Sequence, residues 1–201
     1  MPDLARCAMF ERRCSFNSHD PVGHGAHYLT IAIMSFTVQQ STGSKAAQYD
    51  ELIAQARSLL SDETDRIANA ANFSALVYHT LPDLNWSGFY FFDGVELVVG
   101  PFQGKPACVR IALGKGVCGT AAQTRLTQLV RDVHEFPGHI ACDSASQSEI
   151  VVPLVAKDGS LAGVWDVDSP SIARFDADDA KGMEALCRVF MELAWEPRTS
   201  A

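Results

Sequence analysis

Period-two patterning around an Asp-Gly pair constrains the fold of this chain more than any other feature. Residues 87–92 and 95–99 have the composition and alternation of strands, and Asp93-Gly94 separates them. An Asp-Gly pair supplies the positive φ angles of a tight hairpin turn. A second Asp-Gly pair, at 158–159, separates two more strand-like segments. The sequence therefore predicts a sheet built largely from antiparallel hairpins.

Helical periodicity occurs both before and after these strands in the sequence. Apolar residues recur at helical spacing over residues 46–60, and a second helix is predicted to follow Ser61-Asp62 and to end at Leu81-Pro82. Further helices are predicted at 117–124 and 176–195, and further strands at 109–113, 127–133, 149–156 and 161–167. We therefore expect an α+β fold, in which a central antiparallel sheet of about six strands has N- and C-terminal helices packed on one face.

The two ends of the chain differ from this patterned middle. Residues 1–44 show no sustained periodicity and end in a polar run. We expect them to form an N-terminal extension that is flexible, with residues 1–33 as a start-site artefact upstream of Met34 as the alternative. A single domain is expected over residues 45–196, followed by a short tail over 197–201, because one domain is the usual organisation at this length.

Charge and cysteine content limit the partners and the location. The formal net charge of −8, without a Lys/Arg cluster, argues against nucleic acid and anionic membranes, because binding to them relies on cationic side chains. The longest apolar stretch, 28–38, is too short to span a bilayer. The six cysteines are too sparse and too unevenly placed for a disulfide scaffold. We expect reduced thiols and a cytoplasmic location.

Three cysteines lie at element boundaries in the central region: Cys108, Cys118 and Cys142. Cys118 falls in the first turn of a predicted helix, where the helix dipole favours the thiolate. Cys142 follows His139 in a long loop, and long ordered loops are often functional. The alternative is that these thiols are inert small hydrophobic groups of the core. Their spacing lacks the Cys-x-x-Cys rhythm of structural zinc sites, so we expect no metal there. A looser metal-site alternative in the N-terminal segment comprises Cys7, Cys14, His24 and His27.

Acidic and aromatic residues follow strand periodicity near these cysteines. Asp166 and Asp168 share one face of the last strand, and Glu149 begins the strand before it. Neighbouring carboxylates repel, so we expect at least one raised pKa and hence a proton donor near neutral pH. The alternative is an exposed strand end that forms a turn. Trp86 and Tyr90 also share one strand face, either as a pocket wall or as plain core.

Several short runs stand out over about residues 46–193: NWSGFY (85–90), GPFQGKPAC (100–108), GVCGTA (116–121), DVH (132–134), GHIACD (138–143), SEIV (148–151) and DVDS (166–169). Together they resemble the motifs of the free methionine-R-sulfoxide reductases, which are single GAF-domain enzymes. The resemblance implies a GAF-like fold, homodimers, no bound cofactor and thioredoxin as electron donor. Pro106 is the clearest departure from the family pattern.

The same resemblance implies roles for individual residues. Cys142 corresponds to the nucleophile, Cys108 to the cysteine that closes a disulfide with it, and Cys118 to an auxiliary thiol. Because these assignments vary within the family, Cys118 stays a candidate nucleophile. The remaining site residues are Glu149 and Asp168 as proton donors and substrate ligands, with Asp166, Trp86 and Tyr90 as further substrate ligands.

The implied reaction is the reduction of free L-methionine-(R)-sulfoxide to L-methionine. It would proceed through a cysteine sulfenic acid and an intramolecular disulfide that thioredoxin reduces. Two alternatives belong to other functional classes: a non-catalytic GAF module that senses a small molecule, and a thiol redox sensor.

Overall fold

The computed structural model of the protein describes residues 9–10, 33–34, 38, 43–140 and 143–195. The chain divides into two compact units, Met1–Thr37 and Val38–Ala201. In the first unit, β1 (Met9–Phe10) pairs antiparallel with β2 (Ile33–Met34). Most of the predicted extension 1–44, and all of the tail 197–201, lie outside the described residues, so the predicted domain limits stay predictions.

An antiparallel sheet forms the centre of the second unit. Its strands are β3 (Trp86–Phe92), β4 (Glu96–Gly104), β5 (Arg110–Ala112), β6 (Gln128–Val130), β7 (Ser148–Val155) and β8 (Leu161–Ser169). They lie in the order β5-β4-β3-β8-β7-β6, which confirms the six-stranded antiparallel sheet predicted from the sequence. At the predicted hairpin turn, Gly94 has a φ of 102°. The Asp93 carboxylate accepts hydrogen bonds from the N–H groups of Val95 and Glu96 there.

The helices form two unequal layers around the sheet. α1 (Lys45–Leu60), α2 (Arg66–Thr80) and α4 (Ala177–Phe190) pack on one face, as predicted. Their core is centred on aromatic side chains, with the Phe73 and Trp165 rings edge to face and 5.0 Å apart. α3 (Gly116–Thr124) shares a second, separate apolar cluster with the opposite face of the sheet. None of the helices in the described part of the chain is long and apolar enough to cross a membrane.

Side-chain caps fix where two helices begin. α2 starts at Arg66, later than predicted, because Asp65 is the residue whose carboxylate accepts an N–H of the first turn. α4 follows Asp176, which forms a capping box with the third helical residue. Its C-terminal end differs from the prediction of one helix over 176–195: the α-helix stops at Phe190 and a π-helical turn, Met191–Trp195, follows.

Candidate active site

Strand alternation directs the predicted acids and aromatic residues to the face of the sheet that carries α3. Trp165 belongs to the core under the three-helix layer, so the next residue of β8, Asp166, faces the other way. Asp168 follows it on the same face, and Trp86 and Tyr90 belong to the apolar cluster beside α3. The sequence-predicted site residues on strands therefore share one face.

Antiparallel register aligns these residues across neighbouring strands. Glu149 of β7 is the direct pairing partner of Asp168 of β8, and Asp168 in turn pairs with Trp86 of β3. Directly paired residues have Cβ atoms about 4.5–5.5 Å apart. The two residues proposed as proton donors are thus adjacent, and the Trp86 ring lies at the end of the same row.

Burial controls the charge state of this acidic cluster. Burial raises the pKa of Glu149, Asp166 and Asp168 well above the usual range of carboxyl groups. Repulsion from a neighbouring carboxylate raises each pKa further. Burial and mutual repulsion therefore favour the protonated forms of these carboxyl groups, as a proton donor requires.

Cys118 lies in the first turn of α3 directly against these acids. Its Sγ is 3.9 Å from Glu149 Oε1, and its side chain is buried. Burial raises the pKa of the Cys118 thiol well above its usual range, and the charges of Asp166 and Glu149 raise it further. The thiolate expected from the helix dipole is thus disfavoured, because desolvation and negative neighbours outweigh the positive helix end.

His139 approaches the same cluster from the loop between β6 and β7. Its Nε2 lies 3.6 Å from Glu149 Oε2. Burial lowers the pKa of His139, so the ring is neutral at neutral pH. A neutral imidazole beside a protonated carboxyl can accept or relay a proton.

This loop supplies site residues that the sequence analysis did not select. β6 stops at Val130, earlier than predicted, and a 3₁₀ turn over Val133–Glu135 leads into the loop. Asp143 and Ser146 line the same cavity as His139. The length of the loop indicated function, but no local pattern distinguishes Asp143 or Ser146 from ordinary loop residues.

Asp143 differs from the three buried acids because it forms an ion pair with a lysine and a hydrogen bond with a backbone N–H group. Its Oδ1 accepts hydrogen bonds from Ala145 N at 2.9 Å and from Lys105 Nζ at 3.2 Å. Asn85 Nδ2 lies 3.4 Å from Oδ2. The backbone hydrogen bond from Ala145 is the main reason that the pKa of Asp143 is lowered. Asp143 therefore contributes a fixed negative charge to the cavity rim.

Two adjoining cavities lie between these side chains. One has a volume of about 30 Å³ and contacts Cys118, Glu149 and His139. The other has a volume of about 10 Å³ and contacts Trp86 and Lys105. Both are lined by Tyr90, Asp143, Asp166 and Asp168. The predicted acids and Tyr90 therefore border a continuous small space beside α3.

The remaining predicted cysteines occupy different environments. Cys108 is a free, half-buried thiol that packs against the apolar cluster beside α3. Cys187, whose position suits the buried side of the last helix, is a free thiol buried in α4. Cys142, the predicted nucleophile, lies outside the described residues.

Comparison with known proteins identifies the family. A model of the GAF domain matches residues 3–192. A free methionine-R-sulfoxide reductase of Escherichia coli is 50% identical over 143 residues, which are 71% of this chain and 86% of the relative. The chain belongs to the GAF domain family, among the free methionine-R-sulfoxide reductases. These relatives are oxidoreductases, and the family and GAF fold implied by the sequence motifs are confirmed.

Solved structures of this family extend the comparison. A free methionine-R-sulfoxide reductase from Neisseria meningitidis, solved in complex with its substrate, has a TM-score of 0.74 and 44% identity. The alignment covers 78% of this chain and 93% of that one. A Burkholderia vietnamiensis protein named as a GAF sensor is 78% identical with a TM-score of 0.75, over 76% of this chain and 97% of that one. The same GAF fold therefore carries an enzyme name in one relative and a sensor name in another.

Proposed function

We propose that this protein reduces free L-methionine-(R)-sulfoxide to L-methionine. The observation that carries the proposal is the buried row of Glu149, Asp168 and Trp86, with Asp166 beside it, in a chain 50% identical to the E. coli reductase. A sulfoxide needs a proton on its oxygen before a thiol can reduce it, and a buried carboxyl with a raised pKa holds such a proton at neutral pH.

Glu149 and Asp168 are the proposed proton donors. Both are buried, and both have a pKa raised primarily by that burial. The substrate ammonium group would lie against Asp143, which remains ionised, and Asp166. The S-methyl group would contact the Trp86 ring, which stacks on Tyr90 with centroids 5.7 Å apart. The substrate carboxylate would meet Lys115 and the N–H groups at the start of α3.

Cys142 is the proposed nucleophile. Its sulfur attacks the sulfoxide sulfur while a carboxyl group protonates the oxygen. The oxygen is then transferred to the cysteine, so that the thiol and the sulfoxide become a sulfenic acid and methionine. The raised pKa of Cys118 supports this choice between the two candidate cysteines, because a protonated thiol is a poor nucleophile.

Recycling of the sulfenic acid requires a second thiol and an external dithiol. Condensation with the Cys108 thiol forms a disulfide and releases water. Thioredoxin then reduces the disulfide to two thiols and becomes oxidised itself. We infer a cytoplasmic homodimer from the family resemblance. Sedimentation of the purified chain tests whether it forms a dimer, and thioredoxin-coupled turnover tests whether thioredoxin is the electron donor.

Single-turnover production of methionine tests the proposed function. The reduced protein, mixed with excess free methionine-(R)-sulfoxide and no reductant, should form one methionine per active site. Cys142→Ser should form none, whereas Cys108→Ser should form one and leave a sulfenic acid that dimedone labels. Cys187→Ala is the matched control, because this thiol lies in the three-helix core, and it should behave like the parent chain.

Substrate selectivity provides the second readout. An enclosed site that binds the ammonium and carboxylate groups should reject the S epimer and peptide-bound methionine sulfoxide. Comparable rates on either substrate, or full methionine yield from Cys142→Ser, would contradict the proposal.

A sensor function is the second candidate, because the 78% identical relative is named as a GAF sensor. A sensor would bind a small molecule in the same cavity without forming methionine. Oxidation of the cysteines by hydrogen peroxide, without methionine production from the sulfoxide, would favour a thiol redox sensor instead.

A further inference from the structure

The pocket brings together three side chains whose atoms suit a metal ion. One ligand atom each from Cys118, Glu149 and Asp166 lies within 4.8 Å of the other two. Cys118 comes from the first turn of α3, whereas the acids come from the neighbouring strands β7 and β8. The cysteine spacing did not predict a metal site, because these ligands converge only through the tertiary fold.

An unpaired oxygen in this cluster points to a missing ligand. Asp166 is only 6% exposed, and its Oδ1 has no hydrogen-bond partner among the described residues. Asp166 lines both small cavities. Buried polar atoms are nearly always paired, so an oxygen left unpaired beside an empty space is suited to receive a cation.

The chemical identity of the ligands selects the kind of ion. Calcium and magnesium prefer oxygen ligands alone, whereas zinc accepts sulfur, nitrogen and oxygen together. Tetrahedral zinc places its ligand atoms roughly 3.3–3.8 Å apart, given typical Zn–S and Zn–O bond lengths. Cys118 Sγ is 3.9 Å from Glu149 Oε1, so this pair needs only a small contraction, and all three ligand atoms lie within 4.8 Å of one another.

We propose that Cys118, Glu149 and Asp166 bind a Zn²⁺ ion, with His139 as the fourth ligand. His139 Nε2 lies 3.6 Å from the second oxygen of Glu149, close enough to reach an ion in the cavity. Binding releases the thiol proton and the carboxyl protons to solvent, and the ion replaces them.

This site also predicts inhibition, and that part rests on the proposed function. A bound ion occupies the cavity and coordinates Glu149 and Cys118, so neither the space nor these side chains can contact a substrate. Zinc should therefore stop methionine formation reversibly.

Cobalt, which binds zinc sites and has a visible spectrum, tests the binding directly. The reduced, chelator-treated full chain is titrated with Co²⁺ alone. We expect one equivalent to produce a thiolate-to-cobalt charge-transfer band, which Zn²⁺ then displaces. Cys118→Ser should lose the band, and Cys108→Ser and Cys7→Ser/Cys14→Ser should retain it as matched controls.

Isosteric variants test the carboxylate ligands without changing side-chain shape, so a weaker affinity cannot be attributed to loss of folding. Asp166→Asn and Glu149→Gln keep the thiol and should each weaken zinc affinity at least tenfold, with unchanged circular dichroism. Absence of a band in the parent chain would overturn the proposal. So would a band that survives in Cys118→Ser and disappears in another cysteine variant, because the ion would then be bound elsewhere.

Turnover separates this proposal from the proposed function. Zinc at a concentration that saturates the cobalt-titrated site should abolish methionine formation, and a chelator should restore it. Binding without inhibition would refute the inhibitory role alone. If the chelated protein forms no methionine while cobalt still binds, the proposed function fails and the metal site stands.

Discussion

At the scale of single residues, the buried environment of Glu149 favours activity but lowers the stability of the fold. Its carboxyl is buried beside Asp166 and Asp168, and its basic neighbour His139 is itself neutral because burial lowers its pKa. Holding a protonated acid at neutral pH suits a proton donor. The same arrangement destabilises the fold, because the unfolded chain can release that proton and the folded chain cannot.

The pH dependence of stability tests this account of Glu149. Below about pH 4 both folded and unfolded states hold the proton, and as pH rises toward the raised folded pKa only the unfolded state loses it. Stability is therefore lost as pH rises through this window. Glu149→Gln removes the penalty, so its melting temperature should exceed that of the parent chain by roughly 3 °C or more at pH 7.5 and by little at pH 4.

The matched control for this charge is Glu51→Gln, on the exposed side of α1. Its melting temperature should stay within about 1 °C of the parent at both pH values. Turnover should fall by roughly 100-fold or more in Glu149→Gln. A stability gain that does not grow with pH would rule out the buried-carboxyl explanation.

At the scale of elements, a glycine sets how closely α1 and α4 pack. A Cβ at Gly182 of α4 would overlap the ring of Tyr49 in α1. The Tyr49 hydroxyl donates to Asp179 Oδ1 at 2.8 Å, and the other Asp179 oxygen accepts from Lys45 Nζ at 2.8 Å. This buried hydrogen-bond network depends on the ring position that Gly182 allows.

Gly182→Ala tests the close packing of these helices. Helix propensity alone would favour alanine by about 1 kcal/mol. The clash and the displaced hydroxyl outweigh this gain, so we expect a net loss of about 2 kcal/mol in the free energy of unfolding by urea. Lys181→Ala, on the exposed side of α4, should change it by less than about 0.5 kcal/mol.

A double-mutant cycle identifies the cause of that loss. Tyr49→Ala removes the ring, so adding Gly182→Ala in this background should be neutral or stabilising. An equal loss in both backgrounds would show that the ring is not the obstacle.

A secondary-structure element can be predicted from the sequence when the residues of that element themselves determine it. The six strands could be predicted because strand-like composition and the Asp-Gly turns are properties of the local residues. β4 continues past Val99 to Gly104 because a register shift between Gly88 and Tyr90 of β3 accommodates Pro101, and pairing with a distant strand is not encoded locally.

The candidate site also has one part that the local sequence determines and another that only the tertiary fold determines. Alternation alone put Asp166 and Asp168 on one face. The pairing of Asp168 with Glu149 and the approach of Cys118 arise from register and from the position of α3. The helix dipole at Cys118 is a local property, whereas the burial beside acids that raises the pKa of its thiol is a tertiary one.

At the scale of the whole molecule, the compact unit Val38–Ala201 includes residues that precede α1. Val38 packs against the three-helix core. Ser44 caps α1, accepting hydrogen bonds from Ala47 N with its side chain and from Gln48 N with its carbonyl oxygen. Val38 and Ser44 therefore contribute to the fold of this unit.

Two truncations place the functional limit of the domain. Removal of residues 1–37 should leave melting temperature and methionine formation unchanged, because Val38 and the Ser44 cap are retained. Removal of residues 1–44 loses both and should lower the free energy of unfolding by about 1–2 kcal/mol, of which the cap alone accounts for about 1 kcal/mol. Restoring Gly43-Ser44 to the shorter chain should recover the cap's share, since Gln48 Nε2 also donates to Gly43 O at 2.8 Å. Equal losses from the two truncations would instead place essential structure within residues 1–37.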